Sequence, residues 1–251
     1  MKIYTTFLLI IFCLTFNFIG NALDRAIDSL NASAMGLHKQ NPQQALKILE
    51  NANGLLKEDE VSDEKALTLS NLGIVYRDLG EHEQAKNYSN KALSITTDSL
   101  IVASAYNNLG AINRKLGLYE EAIEQYLKAL PIYEAKKLQN RAATVNNNIG
   151  LVYSYLNLSQ KAVSYHTKAK TIFEKNNNQK GISEAYNNIA IVYANDGELE
   201  KALDYFRYSL DIEEQLKDQK GIAESKNNVG AVHYYLGAID SALYYFKGSA
   251  T

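Results

Sequence analysis

The sequence predicts an all-α solenoid, a stack of helix hairpins with no single central core. Three observations predict it. Asn107-Asn108-Leu109-Gly110 recurs as Asn147-Asn148-Ile149-Gly150, Asn187-Asn188-Ile189-Ala190 and Asn227-Asn228-Val229-Gly230, a step of 40 residues each time; a weaker copy, Ser70-Asn71-Leu72-Gly73, lies 37 residues upstream. A fixed period of this size marks supersecondary units that bury their apolar faces on one another. When Leu109 is made the seventh residue of its unit, the units begin at Ala26, Ala66, Ala103, Ala143, Ser183 and Ala223, and position 20 is alanine in all six. Small residues at fixed points let helix axes approach to about 8–10 Å. Position 15 is Gly80, Gly117, Gly197 and Gly237, with Asn157 in the fourth unit, and Gly, then Asn, is the usual left-handed residue that ends a helix.

Taken in order, the chain opens on a segment outside the repeat. Lys2 precedes an almost unbroken apolar run of 13 residues, Phe7 to Ile19, and Gly20-Asn21-Ala22 places small residues at the −3 and −1 positions of a cleavage site. This is the pattern of a secretory signal peptide, and the run is short for a membrane span. The alternative is an anchor that stays uncleaved. Cys13, the one cysteine, lies inside the run, so cleavage after Ala22 leaves no disulfide, Cys–Zn site or thiol nucleophile. The formal charge of −2 excludes a strongly basic nucleic-acid footprint, and no nucleic-acid partner is expected.

The first unit, Ala26–Leu56, is irregular: Ala32-Ser33 replaces the apolar-Gly pair and Gly36 stands where later units have Tyr. A terminal, capping repeat is expected to depart in this way. Pro42 opens its second helix, since Pro is tolerated at the first helical position. In later units position 7 is Leu72, Leu109, Ile149, Ile189 and Val229, and position 10 is Val75, Ile112, Val152, Val192 and Val232. Positions 7, 10, 11 and 14 share one face, which makes the first half of each unit an amphipathic helix. The second helix follows at once, as in Glu120–Ala135 and Glu198–Leu216. The last unit stops at Thr251 with Leu243, Tyr244 and Phe246 on its outer face. That end is expected to be covered by further chain or by another subunit.

Gly at 8, Tyr at 11, Gly at 15, Ala at 20, Tyr or Phe near 24 and Ala at 27 together resemble the tetratricopeptide repeat (TPR) family. The resemblance spans about residues 24–250. The 40-residue step looks more like the long repeats of kinesin light chain and of bacterial regulatory TPR proteins than the common unit of about 34. The extra residues fall in segments such as Lys136–Arg141 and Asn176–Gly181. The resemblance implies a right-handed superhelix of about six helix pairs; behind the expected signal peptide at 1–22, the chain divides into a degenerate unit at 23–62 and an array at 63–251 with units near 66–99, 103–136, 143–176, 183–216 and 223–251, the last incomplete.

Position 6 is Asn in every unit: Asn31, Asn71, Asn108, Asn148, Asn188 and Asn228. Asn is a mediocre helix former, so six in register need a reason. An amide both donates and accepts, and can therefore pair with a peptide backbone of any sequence. The arrangement resembles the asparagine ladder with which TPR proteins grip extended peptides; the alternative is that these amides bond neighbouring helices and hold the stack. Position 5 adds Asn107, Asn147, Asn187 and Asn227. Further groove candidates are Arg77, Arg114 and Lys115 in early units and Glu184 and Glu224 in late ones, with ordinary surface charge as the other reading. Among the 18 tyrosines, Tyr153, Tyr165, Tyr205 and Tyr245 are expected to pack, whereas Tyr155, Tyr234 and Tyr235 fall at positions 12 and 13 and could face the groove.

His38, His82, His166 and His233 occupy unrelated unit positions, and no nucleophile elbow, phosphate loop or H-E-x-x-H motif occurs. The expected function is therefore that of an exported, non-enzymatic scaffold or adaptor, periplasmic or secreted, that binds a protein or peptide segment and needs no cofactor. A membrane is involved only if the N-terminal segment stays uncleaved or a span follows residue 251. The other reading is a periplasmic sensory input module whose membrane and output domains lie beyond residue 251.

Overall fold

The computed structural model describes residues 22–249. The expected signal segment, apart from Ala22, lies outside them. Among the described residues the chain is helical throughout, with no strand. The helices are α1 (22–37), α2 (Pro42–Gly54), α3 (Asp63–Asp78), α4 (His82–Ile95), α5 (Ser99–Lys115), α6 (Tyr119–Ala135), α7 (Gln139–Tyr155), α8 (Ser159–Lys175), α9 (Gln179–Asn195), α10 (Leu199–Leu216), α11 (Gln219–Tyr235) and α12 (Ile239–Ser249). Odd-numbered helices are the first, or A, helices of the six units; even-numbered ones are the B helices. None of the described helices is long and apolar enough to cross a membrane.

The 40-residue step has a simple origin. In the middle of the chain two 17-residue helices alternate with two three-residue turns. Each turn is centred on one residue with positive φ. After the A helices these are Gly80, Gly117, Asn157, Gly197 and Gly237, as the sequence led us to expect. After the B helices they are Lys137, Asn177 and Lys217, with φ between 53° and 57°. The surplus over a common repeat therefore goes into the B-to-A turn and into the first turn of the following A helix. Several starts are capped by side chains: Asn41 accepts from the backbone N–H of Gln44, Ser62 from Lys65, Asn178 from Gly181 and Asp218 from Gly221.

The chain divides into two compact units, Met1–Ile112 and Asn113–Thr251. In the first, Ala34, Ala45, Leu49, Leu69, Leu72, Val75 and Ala92 form the core. In the second, one cluster gathers Ala143, Ala169, Phe173 and Ile182, and another gathers Ala190, Ala202, Leu203, Phe206, Val229 and Val232. The position-20 alanines are all buried. Position 8 must be small because the position-24 side chain lies on it. A Cβ on Gly150 would stand 2.7 Å from the His166 ring, and one on Gly230 would stand 2.8 Å from Phe246.

The tyrosines form a second repeating device. Within one hairpin, position 11 stacks on position 23: Tyr76 on Tyr88 at 5.2 Å, Tyr153 on Tyr165 at 5.4 Å, Tyr193 on Tyr205 at 5.5 Å and His233 on Tyr245 at 5.5 Å. Lysines cover the columns: Lys161 lies over Tyr153, Lys168 over Tyr165 and Lys201 over Tyr193. Such contacts add about 0.5–1 kcal/mol each where exposed.

Candidate functional site

The asparagines come first. In residues 22–112, Asn31 donates to the Ile27 carbonyl at 3.2 Å and to Thr68 Oγ1 at 2.9 Å, and its own carbonyl accepts from Asn71 Nδ2 at 2.8 Å. Asn108 donates to Ser89 Oγ at 2.8 Å and accepts from Arg77 Nη1 at 2.7 Å. All three amides are buried. Arg77 also clasps its neighbour Asp78, at 2.6 Å, whose other oxygen lies 2.7 Å from His38 Nδ1. Burial pushes the Asp78 carboxyl up, but Arg77, with the His38 hydrogen bond and Lys39, more than offsets this and leaves it below its ordinary value.

In residues 113–249 the pattern is regular. The position-6 amide of one unit donates to the position-5 carbonyl of the unit before: Asn188 to Asn147 at 3.2 Å, and Asn228 to Asn187 at 2.9 Å. Asn147 is buried, and its carbonyl also accepts from His166 Nδ1 at 2.6 Å. His166 is fully buried in the position-24 slot. Burial pulls its pKa down to about 4, so the ring is neutral with its proton on Nδ1. Its Nε2 has no hydrogen-bond partner.

A carbonyl oxygen has two lone pairs and an amide nitrogen two hydrogens. The inter-unit bonds therefore use part of each amide. Asn148, Asn187, Asn188 and Asn228 are half-buried, Asn227 is exposed, and Asn107 is half-buried on α5. Around the asparagines of residues 113–249, α7, α9 and α11 present one kind of surface. Position 2 is exposed as Thr144, Glu184 and Glu224, and position 9 is half-buried as Leu151, Ile191 and Ala231. The C-terminal rim is aromatic: Tyr155, Tyr234 and Tyr235 are 55%, 60% and 74% exposed. Tyr155 stacks on Tyr119 at 5.7 Å, and the Arg114 guanidinium stands 6.0 Å from the Tyr155 ring centre. Arg114 Nε is buried without a hydrogen-bond partner. Of the two predicted arginines, then, Arg77 is held in an ion pair within residues 22–112 and Arg114 flanks the tyrosine rim of residues 113–249.

Two features of the site escaped the sequence reading. His166 looked scattered, although its place at position 24, where Tyr126, Phe206 and Phe246 stand, marks it as a core residue. The Asn-to-Asn bonds between units were legible only as a doubled asparagine at a 40-residue step. Among the described residues no group of three or more His, Cys, Asp or Glu converges as a metal ion would require.

A family profile described as tetratricopeptide repeat matches residues 25–98, 101–175 and 181–249. Comparison with curated proteins returns no match. Among solved structures, BtubC from P. vanneervenii is 19% identical, with a TM-score of 0.65 over 91% of this chain and 90% of that one. A Rap protein complexed with competence and sporulation factor is 21% identical, with a TM-score of 0.67 over 90% of this chain and 65% of its own. A putative kinesin light chain from Podosopora anserina, with nearly identical TPR-like repeats, is 16% identical, with a TM-score of 0.60 over 78% of this chain and 98% of its own. At these identities the likeness is one of fold.

Proposed function

Because the chain belongs to the tetratricopeptide repeat family, we propose that it is a protein-interaction scaffold and that the A-helix face of α7, α9 and α11 holds an extended peptide or protein segment. One observation carries this reading: the strip of half-buried asparagine amides bordered by Leu151 and Ile191 and edged by the exposed Tyr155, Tyr234 and Tyr235. Amides recognise backbone regardless of sequence, and exposed tyrosines are favoured anchors at interfaces. The structural likeness to a Rap protein complexed with competence and sporulation factor supports the same reading. Export to the periplasm or the medium belongs to the proposal, on the strength of the apolar run Phe7–Ile19 and Gly20-Asn21-Ala22.

The test is affinity capture from the exported fraction, followed by mapping of the bound segment as a synthetic peptide. Tyr155→Ala with Tyr235→Ala should weaken that peptide by about 2 kcal/mol or more, while the loss of the Tyr155–Tyr119 stack lowers the melting temperature by only a few degrees. Asn148→Ala, Asn188→Ala and Asn228→Ala together should weaken it by about 1.5–4.5 kcal/mol if the contributions add. Wild-type affinity in both variants refutes the assignment. An intact Met1 on membrane-bound protein refutes the cleaved, exported form.

A further inference from the structure

We propose that the cleft between α6 and α8 is a second binding site, which takes an aromatic side chain carried next to a basic residue on a partner segment. The cleft has a volume of about 520 Å³; Leu130 and Glu134 of α6, Asn146 of α7, and Tyr165, Lys168 and Ile172 of α8 line it. This goes beyond the A-helix reading and is independent of it. Asn146 and Asn148 are two residues apart, about 200° around α7, so the cleft opens away from the asparagine strip.

The next repeat indicates what belongs there. Forty residues on, Asn146 becomes Tyr186, Lys168 becomes Tyr208, Leu130 becomes Lys170 and Glu134 becomes Glu174. Tyr186 packs against Ala143, Ala169, Phe173 and Ile182, and its ring lies 5.4 Å from Tyr208 and 5.9 Å from Tyr205. Lys170 Nζ stands 5.3 Å over the Tyr186 ring and 2.8 Å from Glu174. There the chain fills the position with its own tyrosine, topped by a lysine–glutamate pair. Tyr106, the earlier tyrosine at position 4, is packed too, against Ala85, Leu109 and Ile112.

Where position 4 is Asn146, the cleft is open. Asn146 is too short to reach in, and its amide turns back to the Ala142 carbonyl at 3.0 Å. In the last repeat position 4 is Lys226, and a cleft of about 300 Å³ lies among Lys226, Tyr244, Tyr245, Lys247 and Gly248. In the α6–α8 copy both halves of the internal occupant are missing. The aromatic ring is absent because position 4 is Asn146, and Glu134 has no lysine one turn before it because position 28 is Leu130. A partner residue pair of aromatic plus Lys or Arg would restore both, placing the ring on Ile172 and Leu130 and the cation on Glu134.

The full chain is titrated with N-acetyl-Tyr-Lys-amide and followed by amide NMR, with N-acetyl-Leu-Lys-amide as the control. Saturable shifts at Asn146, Lys168 and Thr171 are expected, about fivefold weaker for the leucine probe, which is the size of one aromatic-pair contact. Asn146→Tyr with Lys168→Tyr, which rebuilds the chemistry of the next repeat, should abolish the shifts while raising the melting temperature. Glu134→Gln, an exposed change that leaves the fold alone, should reduce the Tyr-Lys probe to the affinity of N-acetyl-Tyr-amide. No saturable shift, an equal response to the leucine probe, or shifts confined to the A-helix strip would overturn the assignment. If the double variant loses its dispersed spectrum, the leucine comparison and Glu134→Gln decide.

Discussion

His166 shows how one residue can make a repeat distinctive. It fills a slot that Phe206 and Phe246 fill in the next two units, beneath Gly150 and bonded to Asn147. Its pKa is pulled to about 4 by burial, against about 6.5 in an unfolded chain. Between those values the unfolded state binds a proton that the folded state does not. Stability is therefore fully present above about pH 6.5 and falls as the pH drops towards 4, by an amount on the order of 3 kcal/mol. His166→Phe should keep the ring in place and remove this sensitivity. Urea midpoints at pH 7 and pH 4.5 check it: relative to wild type, the variant gains stability on acidification. An unchanged difference between the two proteins at both pH values would show that His166 does not titrate in this way.

At the scale of the element, the turns carry most of the information. Gly80, Gly117, Gly197 and Gly237 adopt positive φ without penalty, whereas Lys137 and Lys217 adopt it with a Cβ. Left-handed backbone costs a non-glycine residue about 1–2 kcal/mol, partly offset because glycine loses more entropy on folding. Lys217→Gly should therefore raise stability slightly, by up to about 1 kcal/mol, or roughly 2–4 °C in a chain of this size. Thermal melts decide, and a lower melting point would mean that the Lys217 side chain makes a contact worth more than the strain. Pro131 is the other exception. It sits inside α6, on an exposed position, where it removes one backbone hydrogen bond. Pro131→Ala should stabilise the protein by about 1–3 kcal/mol. Equal melting temperatures would indicate that α6 already bends in a way the neighbouring helices require.

At the scale of the molecule, a repeat array is held together by neighbour-to-neighbour contacts, so its stability is distributed by position. The A helix α9 buries Gly181, Ile182, Ser183, Ala185, Ile189, Ala190 and Val192, while in α12 only Ala242 is fully buried. Leu243 and Tyr244 of α12 are half or more exposed, as the sequence had suggested. Native-state hydrogen exchange should find the amides of α12 exchanging well before those of α9 and α10. Equal protection would point to a second molecule, or further chain, covering α12.

The sequence by itself determined the helical class, the step, the A-helix ends and the close-packed alanines. These depend on local rules: glycine at left-handed turns, alanine where helices touch, and apolar residues on one helical face. It also named the asparagines, because a poor helix former kept in register stands out against propensity. What those amides do could not be read in advance. Whether Asn147 meets a ligand or His166 depends on which side chains lie across the hairpin and across the repeat, and those contacts join residues 19 and 41 apart. The two-way use of lysine was equally hidden: Lys168 lies over a tyrosine, Lys170 lies over another, and Lys217 forms a turn. The cleft beneath Asn146 followed the same logic. A missing tyrosine is visible in the sequence only as a different letter at position 4. Only the placement of α6 and α8 around α7 turns that difference into a space, because the helix backbones are held by the rest of the repeat and do not collapse onto the smaller side chain.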